Sequence, residues 1–221
     1  MQDQLFEDLI AKQITKQELY NEAKLQNINV TTLLTGTKHP KATVRYSCSK
    51  VLQDLSETKP HLLYKHYDFF FDMLKRRYRI LTWNALFIIS NLTTVDTKKH
   101  FDKHFDIYFS HLQDDYLITV ANTIKTTSKI IKSKPYLGEK IIEMLLKNKQ
   151  RKTTEHITEE CKKILAAETI KVFTEHYNKA TEQQKKNIQD YVDFYKNTQR
   201  KNLQKEIQKF EKKHLQKANE K

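Results

Sequence analysis

Glycine and proline are nearly missing from this chain, at two and three residues in 221. Turns that need a positive backbone φ must be scarce, which argues against an all-β fold of tight hairpins and against a Rossmann-like fold. Cysteine is rare as well: Cys48 and Cys161 stand alone, so no disulfide framework exists and a reducing compartment is expected. No apolar run approaches the length of a membrane span. The opening stretch MQDQLFEDLIAKQ carries acids and no long apolar run, unlike a secretory leader. What remains is a soluble, cytoplasmic, all-α protein with no membrane association, long enough for one sizeable core.

Forty basic residues against 27 acidic ones leave a formal charge of +13. That excess raises nucleic acid or another polyanion as a partner. Only six of the forty are arginine, the better bidentate partner for phosphate and guanine. The excess is also spread along the chain, with its largest share in 181–221. Charge alone selects no partner.

The chain repeats itself. LLYKHYDFFFDML (62–74) falls on HFDKHFDIYFSHL (100–112), with His66 on His104 at an offset of 38 residues. A period of this size is the signature of stacked helical pairs. The second helices of the pairs align as VRYSCSKVLQDL (44–55), LTWNALFIISNL (81–92), LITVANTIKTTS (117–128) and ITEECKKILAAE (157–168). In this alignment Cys48, Ala85, Ala121 and Cys161 share one small-residue slot, where neighbouring second helices cross. Cys48 thus reads as packing, not as a nucleophile or a metal ligand. Pro60 and Pro135 stand at the starts of first helices, and Thr15 with Glu18 and Thr181 with Gln184 form capping-box patterns. Residues 1–29 read as starter helices, 30–180 as the repeats and 181–221 as closing helices, all in one continuous domain. The final HLQKANEK is expected to fray.

Val-Arg opens the first of these second helices, a small residue follows four positions after the valine, and aliphatics lie beyond. The stretch TVRYSCSKVLQDLSETKPHLLYKHYDFFFDML, continued by ILTWNALFIISNLTTVD, resembles HEAT repeats of the armadillo-like superfamily and is similar to small prokaryotic HEAT-repeat proteins. The resemblance covers about residues 30–175. It implies a right-handed α-α superhelix of about four helical pairs with capping helices at both ends, and a binding surface with no shared catalytic residues or cofactors. Two departures stand out: the turn acid typical of such repeats is clear only at Asp114 and Asp115, and the fourth pair has a longer turn, NKQRKTTEH.

Candidate chemistry is thin. His100, His104 and His111 lie on one side of a helix, yet His104 recurs with the repeat and no further metal ligand accompanies it. The turns within successive pairs lie along one edge of a repeat stack. Here they give a possible polyanion-binding edge of Lys75, Arg76, Arg77, Arg79, Lys149, Arg151 and Lys152, interrupted by Asp114 and Asp115. The second helices line the concave side of HEAT arrays, as the resemblance implies. Opposite their core positions fall Tyr46, Lys50, Trp83, Phe87, Thr119, Thr123 and Lys163.

Two functions follow as expectations. The first is a non-enzymatic scaffold or adaptor that binds a protein or peptide on that concave face, around Tyr46, Trp83 and Phe87. The alternative is a DNA- or polyanion-binding protein, by analogy with HEAT-like alkylpurine DNA glycosylases. Such an enzyme needs a carboxylate beside base-cradling aromatics. Asp54 and Glu159 are the nearest acids, and neither pairs convincingly with Trp83.

Overall fold

A computed structural model describes residues 2–215; Met1 and residues 216–221, most of the tail expected to fray, lie outside the described residues. Every regular element among the described residues is a helix. None is long and apolar enough to cross a membrane. The chain divides into two compact units, residues 1–106 and 107–221, within what the sequence presented as one continuous domain.

Unit 1 runs through α1 (Gln2–Ile10), α2 (Lys16–Lys24), α3 (Val30–Gly36), α4 (Ala42–Thr58), α5 (Pro60–Leu63), α6 (Tyr67–Leu74), α7 (Arg79–Leu92) and α8 (His100–Lys103). The division falls inside α9 (Phe105–Phe109). Local chemistry sets the helix starts. The Thr15 hydroxyl accepts the Glu18 N–H at 3.2 Å while the Glu18 carboxylate accepts the Thr15 N–H at 2.8 Å, a complete capping box. Asn29 caps α3 and Pro60 occupies the first turn of α5, where its missing N–H costs nothing. Asp96 accepts the N–H groups of His100 and Phe101 at 2.8 and 2.9 Å and so starts α8. Gly36 ends α3 directly against Cys48: a Cβ at 36 would overlap the Cys48 sulfur. The close approach of these two helices is what the glycine is for.

Unit 2 continues with α10 (Leu117–Ser133), α11 (Gly138–Lys147), α12 (Glu159–His176), α13 (Glu182–Phe194) and α14 (Lys201–His214). Helix α12 packs against both α10 and α14. The closing helices turn Ile188, Tyr191, Val192, Leu203, Ile207 and Phe210 inward and leave lysines outside. Thr181 and Gln184 complete the second capping box, at the start of α13.

Burial sets the register of the repeats. Val44, Cys48, Val51, Leu52 and Leu55 of α4 are buried, and so are Leu81, Ala85, Ile88, Ile89 and Leu92 of α7, thirty-seven residues on. The same pattern returns 38 residues later in α10, as Thr119, Thr123, Thr126, Thr127 and Ile130. It returns again 46 residues beyond that in α12, as Leu165, Thr169, Val172, Phe173 and His176. The shared small-residue slot therefore holds Cys48, Ala85, Thr123 and Thr169, which corrects the assignment of Ala121 and Cys161 to it. Cys161 is half-buried in an extra first turn of α12, because the non-helical stretch 151–158 lengthens the last step.

Candidate partner-binding face

In unit 1, α4 and α7 lie side by side, pinned by two amide–hydroxyl bonds. Asn84 Nδ2 donates to Ser49 Oγ and Asn91 Nδ2 donates to Ser56 Oγ, both at 2.8 Å. Beside this seam Tyr46, Trp83 and Phe87 are half-buried and Lys50 is exposed, paired with Asp54 at 2.7 Å. Tyr78, which precedes α7, and Ile80 in its first turn are 40 % and 38 % exposed. The Arg45 guanidinium sits 3.8 Å from the Tyr78 ring centre and 4.9 Å from that of Tyr46. It also donates to the carbonyls of His39 and Pro40 at 2.8 and 3.0 Å. This buried arginine thus holds two tyrosines as one aromatic surface.

Unit 2 departs from expectation. Thr119 and Thr123 are wholly buried, so neither lines a surface. They occupy the core slots of Leu81 and Ala85, and the Thr123 hydroxyl is satisfied by the Thr119 carbonyl at 2.9 Å. The positions equivalent to Tyr46 and Trp83 are Ala121 and Ala167; those equivalent to Lys50 and Phe87 are Lys125 and Lys171. Lys163 is half-buried and ion-paired with Glu160, one register away from the expected line. Sequence reasoning also missed Tyr116 and Ile118, which are 42 % and 49 % exposed. They repeat Tyr78 and Ile80 at the offset of 38, and that offset was the signal that would have found them.

The basic edge resolves into two kinds of residue. Lys75, Arg77 and Lys152 are exposed and Arg79 is half-buried. Arg76 donates to the Thr37 hydroxyl and lies 4.8 Å from the Phe69 ring centre. Arg151 donates to the carbonyls of Leu112 and Asp114. Burial pushes both guanidinium groups below their ordinary pKa, opposed by Asp72 at Arg76 and by Asp115 and Asp114 at Arg151. Lys149 lies over the exposed Phe194 ring at 4.3 Å.

Groups suited to catalysis are dispersed. Among the described residues no cluster of three His, Cys, Asp or Glu side chains can hold a metal. His104 stacks on Phe71 at 4.2 Å, His100 packs against the Tyr64 and Tyr67 rings, and His111 meets the Ile107 carbonyl at 3.1 Å. Asp54 and Glu159 are taken up in pairs with Lys50 and Lys162 on their own helices. Burial pushes the Cys48 thiol up to about 12, so it carries no thiolate near neutral pH.

No family model matches the chain, and no curated protein matches it. Solved structures do. A designed armadillo repeat protein superposes with a TM-score of 0.51 at 12 % identity, over 82 % of this chain and 80 % of its own. The fold is armadillo-like. A second designed armadillo repeat protein, solved in complex with the peptide (KR)4, gives a TM-score of 0.52 at 10 % identity, over 83 % of this chain and 80 % of its own.

Proposed function

We propose that the protein is a non-enzymatic binding scaffold whose α4–α7 face in unit 1 holds a peptide segment of a partner protein. One observation carries this reading. Tyr46, Trp83 and Phe87 are all half-buried beside the seam, with Tyr78 and Ile80 nearby; in α10 and α12 the positions equivalent to Tyr46, Trp83 and Phe87 are alanine or lysine, although Tyr116 and Ile118 repeat Tyr78 and Ile80. Large aromatics left partly in water on a rigid helical seam provide anchor contacts at low entropic cost. An armadillo neighbour that binds a peptide supports the ligand class. The charge of +13, with Lys50 at the patch, favours a segment carrying acids beside its apolar anchors. Two free thiols suit a reducing, cytoplasmic setting. The nucleic-acid alternative draws less support, since Arg76 and Arg151 each direct part of their guanidinium into the fold.

Trp83 is the only tryptophan, so its emission reports on the proposed face directly. Titration with apolar-acidic peptides is expected to shift that emission to the blue, and (KR)4 is expected to leave it unchanged. Duplex DNA binding with a steep salt dependence, and no peptide response, would replace this reading with the alternative.

A further inference from the structure

A cleft of about 400 Å³ opens in unit 2 between the start of α12, the 3-10 turn Asn148–Gln150 and the turn that joins α13 to α14. The volume falls within the range of small-molecule sites. Phe194 lines it from the end of α13 and is 62 % exposed. The closing helices turn Tyr191 and Phe210 inward, so an outward phenylalanine among their polar residues breaks the local rule. It contributes little to the core and offers a flat apolar face to a ligand.

The lining is positive. Lys149, Lys162 and Lys163 stand there against one carboxylate, that of Glu159. Among the described residues the Lys149 ammonium has no carboxylate partner, and it rests over the Phe194 ring at 4.3 Å. Lys163 pairs with Glu160, which also accepts from Arg200 at 3.1 Å. Lys163 can therefore turn to a ligand and leave Glu160 paired. Lys162 meets Glu159 at 2.9 Å, one turn apart and with the carboxylate mostly in water, and such pairs hold weakly. The exposed amides of Asn197 and Gln199 complete the lining. An amide both donates and accepts, as the edge of a nucleobase does.

We propose that this cleft binds a purine nucleoside phosphate, with the base stacked on Phe194, its edge toward Asn197 and Gln199, and the phosphate held by the three lysines. A phosphate monoester carries nearly two charges at neutral pH and calls for more than one cation. A simple aromatic carboxylate would use one lysine and leave the amides idle. The source is a free nucleotide or the phosphorylated end of a single strand. The site lies wholly in unit 2 and stands independently of the α4–α7 face.

The test titrates the protein at low salt with AMP, GMP, their nucleosides and inorganic phosphate, followed by ¹H–¹⁵N NMR. The better of the two nucleotides is expected to move the side-chain amide signals of Asn197 and Gln199 and to bind at least about tenfold more tightly than its nucleoside or phosphate. A 5′-phosphorylated oligo(A) strand separates the sources: binding tighter than AMP assigns the strand end, and equal or weaker binding assigns the free nucleotide. Phe194→Ala changes a solvent-facing ring, and is expected to weaken nucleotide binding about tenfold while leaving phosphate affinity within about twofold. Glu159→Gln removes the lone carboxylate and is expected to tighten nucleotide binding about threefold. Absence of binding by both nucleotides, nucleotide affinity no higher than that of phosphate, or undiminished affinity in Phe194→Ala overturns the proposal. Tighter binding of O-phosphotyrosine than of either nucleotide also overturns it, and gives the cleft to a phosphopeptide. The wild-type ligand series decides even if a variant folds poorly.

Discussion

The guanidinium of Arg76 donates to the hydroxyl of Thr37, thirty-nine residues earlier, at 3.0 Å. Thr37 is the C-cap of α3, where the last carbonyls of a helix lack partners. Arg151 makes the same reach over the same spacing to the Leu112 carbonyl, at the end of the 3-10 turn Ser110–Gln113. In each unit an arginine from one inter-helix turn thus closes the helix end of the preceding pair. A cation there also meets the negative end of the helix dipole.

Arg76→Ala is therefore expected to cost about 1–2 kcal/mol in urea unfolding, near the lower figure because the side chain is half-exposed. Arg77→Ala, one residue on and exposed, should stay within about 0.5 kcal/mol. Equal losses at the two positions would show that the edge acts through general charge and not through the Thr37 contact.

Gly36 and Cys48 make a second testable pair. Gly36→Ala forces a methyl into the Cys48 sulfur and should destabilise the protein by about 1–3 kcal/mol. Cys48→Ala withdraws that sulfur, so the double variant should recover part of the loss in a double-mutant cycle. Additive losses would place the strain elsewhere, for instance against Phe6, which a new Cβ would approach at 3.2 Å.

The two thiols should differ sharply in reactivity. Cys48 is wholly buried with its pKa pushed up to about 12, whereas Cys161 is half-buried near the start of α12. A disulfide reagent such as DTNB at mildly alkaline pH should label one thiol in the native protein and two after denaturation. Mass analysis should put the native label on Cys161. Rapid native labelling of Cys48 would show that the α3–α4 contact opens readily.

The period, the caps and the polar closing helices were legible because each is written in local chemistry. Thr15 with Glu18 needs only four residues to declare a helix start, and His66 with His104 needs only an alignment. The register of α10 and α12 was not legible, because it depends on threonines behaving as core. Thr123 and Thr126 return their hydroxyls to carbonyls of their own helix, which removes the polarity that sequence suggests. With threonine taken as outward, Ala121 became the small residue of the slot and the inferred surface moved two residues off. The roles of Arg76 and Arg151 were hidden for a different reason: a basic turn announces charge, and only geometry shows that its donors point back into the fold.

Three histidines make stability fall toward acid. Burial lowers the pKa of His66, His176 and His214 below 6.5. A base held below its unfolded pKa binds fewer protons when folded, so its contribution is complete above about pH 6.5 and is lost as pH falls through the folded value. Thermal melts should therefore drop from about pH 7 to about pH 5, and His176→Leu should flatten part of that slope. Lys132 and Lys179 add to the effect at His176 and Glu175 opposes it, so Glu175→Gln should steepen the slope. A flat profile over this range would show that none of the three rings is held neutral by the fold.

The aromatic seam of unit 1 allows binding and folding to be separated. Phe87 is half-buried, so Phe87→Ala removes both packed and solvent-facing ring area and should cost about 1–2 kcal/mol of stability, less than a fully buried phenylalanine. If Phe87 and Trp83 anchor a partner, either alanine variant should weaken peptide binding by about 2 kcal/mol, roughly thirtyfold. Lys125→Ala, which changes an exposed lysine of α10, should leave that affinity within about twofold. Tyr78 offers the sharper discrimination, since its ring is held by Arg45 at 3.8 Å and 40 % of it still meets solvent. Tyr78→Phe keeps the ring and should keep the affinity, while Tyr78→Ala removes the ring and should lose it. Folding measured by circular dichroism must remain intact throughout, because a seam that unfolds when Trp83 or Phe87 is trimmed is core and holds nothing.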